Sequence, residues 1–498
     1  MKEPIHIVYF LGSVAAAGIA AAGIAGQAPV VYGIIPGIIG GVLALIAAYR
    51  FLIRRRDLIG FTATTCGFVF YQAYQANPVT LPDFTTYIAE IPLQDQIVGI
   101  ILANLTAAFL LLAYHLVGAV FGGIFSRMVP APSQAERTQC DRAMLVGFIL
   151  VFCAVALPNV LFGKVIIGPI QNVINQRASW NDASLSGYAV FGGDVGGSFS
   201  NVTLWAVSLF LLWLYMLGSK YRAVMWILGP LVLIWTAAVA LTGSRTYLVA
   251  LAVAFTVYIL GNPKVGKKAL FHLAWAVPFV FIVLQVSSLF RTAGLQSFDA
   301  QEFAKHAFEI RGNEGANSEM DGVEYFRTEL AERGIAANPI AGALRGLFLR
   351  PIEGSMMIIP RTVFPWKLDD ASAVEYNLFF QNVRLGVPSD VTFIGASPGL
   401  IGRELIRYGY LGPLTLLFWM GVILNFSQRF FDAGPESAYH RLVAATLISF
   451  LIAQSRDFVS VWFIPYTPAA IVLIVVTLLL RPPSATPHAQ AAASQPAD

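Results

Sequence analysis

Apolar residues run through this chain in blocks of about twenty, long enough as helices to cross a hydrocarbon core of roughly 30 Å, and brief polar stretches separate one block from the next. The run Ala223–Leu241 contains no charged residue. The blocks predict transmembrane helices at 7–26, 29–49, 58–75, 96–122, 143–162, 200–218, 223–241, 246–261, 269–289, 410–427, 442–454 and 459–480. The chain is therefore expected to be an all-α polytopic membrane protein of about twelve transmembrane helices. Residues 1–290 hold the spans up to 269–289, residues 291–409 form one large hydrophilic loop, and residues 410–481 hold the remaining spans. Residues 482–498 are Ala, Pro, Ser and Gln without periodicity and read as a disordered tail.

Composition strengthens the membrane reading: 57% of the 498 residues are apolar and only 12% are charged, far from soluble-domain averages. Charge then sets the orientation, because Lys and Arg in short loops are retained on the cytoplasmic side. Arg50, Arg54–Arg56, Arg127, Arg137, Arg142, Lys220, Arg222, Lys264, Lys267, Lys268, Arg429 and Arg441 fall on one face. The opposite short loops hold only Lys164, Arg177, Arg245 and Arg456. Both termini are thus expected in the cytoplasm of a bacterial inner-membrane protein, with the large loop outside. A cleaved signal peptide over residues 1–26 is the alternative, weakened by Lys2 as its one basic residue. Cys66, Cys140 and Cys153 match no disulfide framework or metal spacing, and the first and third read as packing residues.

No Lys or Arg falls at the centre of a predicted span, and no acid does either. Ion-coupled carriers place such charges at the midplane, so the census argues against transport. His115 and His272 lie within spans, where a lone histidine is more often packed than part of a relay. The outer loop mixes acids and bases and offers no surface for nucleic acid. Within it, 323–333 predicts a polar helix and 340–349 a more apolar one, separated by Asn338-Pro339, with Arg345 and Arg350 nearby. Gly354–Pro360 is apolar enough to lie against the membrane, making the loop a lid rather than an independent domain. Nucleotide-binding, serine-hydrolase and metal-ligand motifs are absent from the sequence.

Arginines at the outer ends of helices are the candidate chemistry: Arg245 in Thr242-Gly-Ser-Arg-Thr-Tyr247, Arg291 after Phe290, Arg361 in Ile359-Pro-Arg361, and Arg456 in Gln454-Ser-Arg-Asp457. Guanidinium holds phosphate oxygens bidentately and keeps its charge, which suits a lipid-linked pyrophosphate at headgroup depth. Ser244 adds a hydroxyl, and Gly243 allows close backbone approach. The alternative is that these arginines snorkel to headgroups or pair with acids such as Asp457.

Gly243-Ser-Arg245, the run Gly354–Lys367 with Phe364-Pro-Trp-Lys367, Ser397-Pro-Gly-Leu-Ile-Gly-Arg-Glu404 and Tyr408-Gly-Tyr-Leu-Gly412 together resemble the oligosaccharide repeat-unit polymerases of the Wzy type. The likeness covers roughly 238–412 in patches, while the first five spans match only in being hydrophobic. It implies a GT-C-like membrane glycosyltransferase that joins repeat units carried on undecaprenyl pyrophosphate, without a metal or other cofactor. It also implies membrane lipids and a chain-length regulator as partners. By the matching motifs Arg245, Arg361 and Lys367 would contact the pyrophosphate, with Arg291 and Arg456 added by position. Glu404 sits at the family's acidic position, where it is either a general base or an ion-pair partner of Arg403 and Arg407. Arg311 and Gly322 fit an Arg–Gly spacing used for some of these polymerases, and Arg177 with Gly187 misses it by one. O-antigen ligases share the topology and would need a histidine in the large loop, where His306 is the only one. A lipid-linked oligosaccharide transporter is the rival that makes no bond.

Overall fold

The computed structural model describes residues 4–28, 30–54, 57–68, 90–129, 314–352, 398–433 and 437–454, with single positions at 230, 252–254, 256–257, 376 and 379. Among these residues the fold is helical and contains no strand. Helix α1 spans Pro4–Ala25, α2 Ile35–Arg54, α3 Leu58–Gly67, α4 Leu93–Asn104 and α5 Thr106–Met128. Then come α6 (Glu314–Tyr325), α7 (Pro339–Leu344), α8 (Leu400–Tyr408), α9 (Gly412–Ala433) and α10 (Ala438–Gln454). Segments Pro4–Ala25, Val30–Ile53, Thr106–Met128 and Leu400–Ala433 are long and apolar enough to cross a membrane.

Membrane helices pack through small residues, because the lipid offers no hydrophobic drive to bring them together. Accordingly, α1 buries Ala16, Ala17, Ala20 and Gly23 while Ile7, Val8 and Leu11 remain exposed. Leu45 of α2 and Val120 of α5 are likewise exposed, as lipid-facing residues would be. Helices α5 and α9 approach so closely that a Cβ on Gly421 would stand 2.4 Å from the Ala113 carbonyl oxygen. Asn425 Nδ2 donates to the Tyr114 carbonyl at 2.9 Å across the same contact. Phe51 stacks on Phe61 and tilts against Phe431, joining α2, α3 and α9 in one core, in which Cys66 is buried.

The predicted single span 96–122 is overturned. The chain forms α4 and α5, separated at Leu105. Asn104 Nδ2 donates to the Ile100 carbonyl, Thr106 Oγ1 donates to the Ala103 carbonyl, and Ser13 Oγ from α1 donates to the Asn104 carbonyl. Side chains inserted among backbone carbonyls in this way break or bend a helix. The predicted polar helix 323–333 instead begins at Glu314 and continues through a wide turn at Phe326–Leu330. Asn338-Pro339 starts α7 as an N-cap with proline at the first helical position, and Asn338 Oδ1 accepts from Ala341 N–H at 3.1 Å. The predicted spans 143–162, 200–218, 269–289 and 459–480, nearly all of 223–241 and 246–261, the Gly354–Pro360 lid and the tail 482–498 lie outside the described residues.

Candidate functional site

Helix α8 is held at both ends by glycines in the left-handed region, Gly399 at φ 78° and Gly409 at φ 71°, where a side chain would be strained. Its first turn presents backbone N–H groups that have no partner within the helix. Glu319 of α6 supplies one: its Oε1 accepts from Leu400 at 2.5 Å and Ile401 at 3.0 Å, and its Oε2 from Ile401 at 3.1 Å and Gly402 at 2.8 Å. A fully buried carboxylate thus sits at the positive end of the helix, where an anion is stabilised. The approach requires glycine on both helices: a Cβ on Gly402 would lie 2.9 Å from Gly322 Cα, and one on Gly322 would lie 2.2 Å from the Pro398 carbonyl oxygen. The Ser397–Glu404 motif therefore builds a docking surface for α6.

Glu404 points from this helix to Arg350, with which it makes a close buried ion pair. Arg350 Nη2 also donates to Thr415 Oγ1 at 3.0 Å, and its guanidinium carbon lies 4.6 Å from the Tyr408 ring centroid. Arg350 is only 5% exposed, yet among the described residues its Nε and Nη1 have no hydrogen-bond partner. Arg350, a partner of Glu404, comes from 54 residues earlier in the chain. Nearby, Arg327 grips Asp95 at the start of α4, with Nε to Oδ1 at 2.9 Å and Nη2 to Oδ2 at 2.8 Å. This hydrogen bonding raises the Arg327 guanidinium above its ordinary value.

Of the site residues expected from the sequence, Glu404 alone lies among the described residues. Ser244, Arg245, Arg291, Arg361, Lys367 and Arg456 lie outside them, as do Arg177, Gly187, His306 and Arg311. Gly322 is present, and what it does is admit α8.

Residues 133–325 match the family model for O-antigen polysaccharide polymerase Wzy. Comparison with curated proteins and with solved structures gave no match. The Wzy match takes in Gly243-Ser-Arg245, Arg291 and the whole of α6, and it ends at the last residue of that helix. It also reaches upstream over the fifth predicted span, 143–162, and leaves the first four outside it. The runs Gly354–Lys367 and Ser397–Gly412 fall beyond it. With its long apolar helices, this is a multi-pass membrane protein similar over that stretch to Wzy polymerases.

Sequence reasoning missed a second buried polar cluster. His115 is not a lone packed histidine: its Nε2 lies 2.9 Å from His6 Nδ1, and His6 Nε2 lies 2.7 Å from Asp57 Oδ1. The sequence did not reveal this pairing, because the partners lie 109 and 51 residues apart. A visible signal was Asp57 directly before the apolar start of α3, where it caps the helix by accepting from Gly60 N–H at 2.9 Å.

Proposed function

We propose that this chain polymerises oligosaccharide repeat units carried on undecaprenyl pyrophosphate into O-antigen or exopolysaccharide at the outer face of the bacterial inner membrane. The observation that carries the reading is the Wzy match over residues 133–325. A carrier is disfavoured on that ground and by the absence of Lys, Arg, Asp and Glu from the centres of the predicted spans. In this reading about twelve membrane helices adopt a GT-C-like arrangement, both termini are cytoplasmic, and 291–409 is the large outer loop over the membrane domain.

An acceptor sugar hydroxyl attacks the anomeric carbon of the growing chain, and undecaprenyl pyrophosphate departs. Arg245, Arg361 and Lys367 hold the charge that develops on the leaving group, with Arg291, Arg456 and Ser244 completing the contact, so cationic side chains do the work of a metal. Glu404 acts through Arg350 as a positioning residue: the ion pair and the Tyr408 face orient a guanidinium whose Nε and Nη1 make no hydrogen bond among the described residues.

Mass spectrometry of products made from purified lipid-linked repeat unit tests the proposal. A ladder of longer lipid-linked glycans with released undecaprenyl pyrophosphate is expected. Arg245→Ala and Arg361→Ala should each slow the ladder by about 10²-fold, with lysine a poor replacement. Near-wild-type rates in both folded variants would refute the pyrophosphate site. Transfer to lipid A core, lost in His306→Ala, would point to a ligase instead.

A further inference from the structure

The His6, Asp57 and His115 side chains come from three different elements: α1, the cap of α3 and the middle of α5. They meet in a line. His6 uses both ring nitrogens, Nε2 toward Asp57 and Nδ1 toward His115. Ligand atoms that lie along a line do not converge on one point, and among the described residues no group of His, Cys, Asp or Glu could hold a metal ion.

We infer that this line is a one-proton site within the membrane bundle, with the proton as its ligand and His6 as the residue that carries it. Asp57 Oδ1 already accepts from Gly60, so a carboxylate there makes His6 Nε2 a donor. With His6 neutral, its Nδ1 accepts from His115 Nε2–H. With one more proton, the hydrogen of His115 Nε2 moves to His6 Nδ1 while His115 Nδ1 takes up a proton from water. His6 is then an imidazolium donating to Asp57 and to His115, and His115 is again neutral. Every hydrogen bond survives at either proton count, so the heavy atoms need not move. Few buried clusters have this property, because adding a proton normally leaves two donors facing each other.

The other titratable and charged groups bearing on the line, among the described residues, are Tyr9 of α1, which acts on Asp57, Arg50 of α2, and Tyr114 of α5, whose ring lies 6.4 Å from that of His6 and 5.1 Å from that of His115. Arg50 Nε stands 3.9 Å from Asp57 Oδ2. Arg50 and Asp57 balance one another, so uptake leaves the cluster with one positive charge.

Nitrogen NMR of the full chain in lipid nanodiscs, with ring-labelled histidine, tests this. His6→Asn and His115→Asn assign the two signals. In the wild type both signals should change together in a single shared step, with His115 changing tautomer as His6 gains charge. Asp57→Asn should shift the step by more than about tenfold in proton affinity. Two unlinked steps, or none, would overturn the inference, as would a step that Asp57→Asn leaves in place. The measurement needs no glycan, so its failure is separate from failure of the polymerase reading.

Discussion

The two buried ionic clusters of this molecule differ in what holds them. At α8, Arg350 and Glu404 are fixed charges of opposite sign, and their neighbours Thr415 and Tyr408 add a hydrogen bond and a ring face. Between α1, α3 and α5, one fixed carboxylate faces two imidazoles whose charge is adjustable, and Arg50 stays beyond hydrogen-bond reach. The first arrangement has one stable charge state and can serve as a rigid mount. The second tolerates two. Burial alone therefore says little about role, and the chemistry of the partners decides it.

The most severe way to break this contrast is to remove one member of the fixed pair. Arg350→Ala leaves Glu404 charged and buried, and should cost about 3–5 kcal/mol, read as a lower midpoint in thermal unfolding of the protein in detergent. Replacing both residues together, as Arg350→Met with Glu404→Met, should recover most of that loss while polymerisation stays impaired. Recovery of full activity in the double variant would show the pair to be structural only.

A smaller loss is expected from the surface that carries the mount. Gly402→Val places its Cβ against Gly322 and should cost about 1–3 kcal/mol as α6 and α8 are forced apart. Limited proteolysis of folded protein would detect the separation, and an unchanged pattern would mean that the two helices are not held by this contact. The smallest effect belongs to Asn338→Ala. Removing this cap should cost about 1 kcal/mol and leave the buried pair intact, a control against which the first two variants are read.

Helix positions were legible where a long apolar run coincides with one helix, as in α1 and α9, and where local chemistry marks a start, as at Asn338-Pro339. The break at Leu105 was not, because the apolar run continues across it and the side chains of Asn104 and Thr106 act on neighbouring carbonyls. Glu404 was legible as a residue of interest, but its partner was not: i,i+3 and i−1 neighbours are visible in sequence, and Arg350 is brought up only by the packing of α8 on the segment after α7. Glu319 gave no signal either, since it caps a helix that begins 81 residues later.

The interruption between α4 and α5 has a consequence for life in bilayers of different depth. A continuous rod over residues 93–128 would be about 54 Å long, well beyond a hydrocarbon core of roughly 30 Å. With the joint at Leu105, α5 can change tilt to suit a thicker or thinner sheet of lipid while α4, anchored through Asp95 to Arg327, stays where it is. The cost of hydrophobic mismatch would then fall on one helix as lipid composition changes.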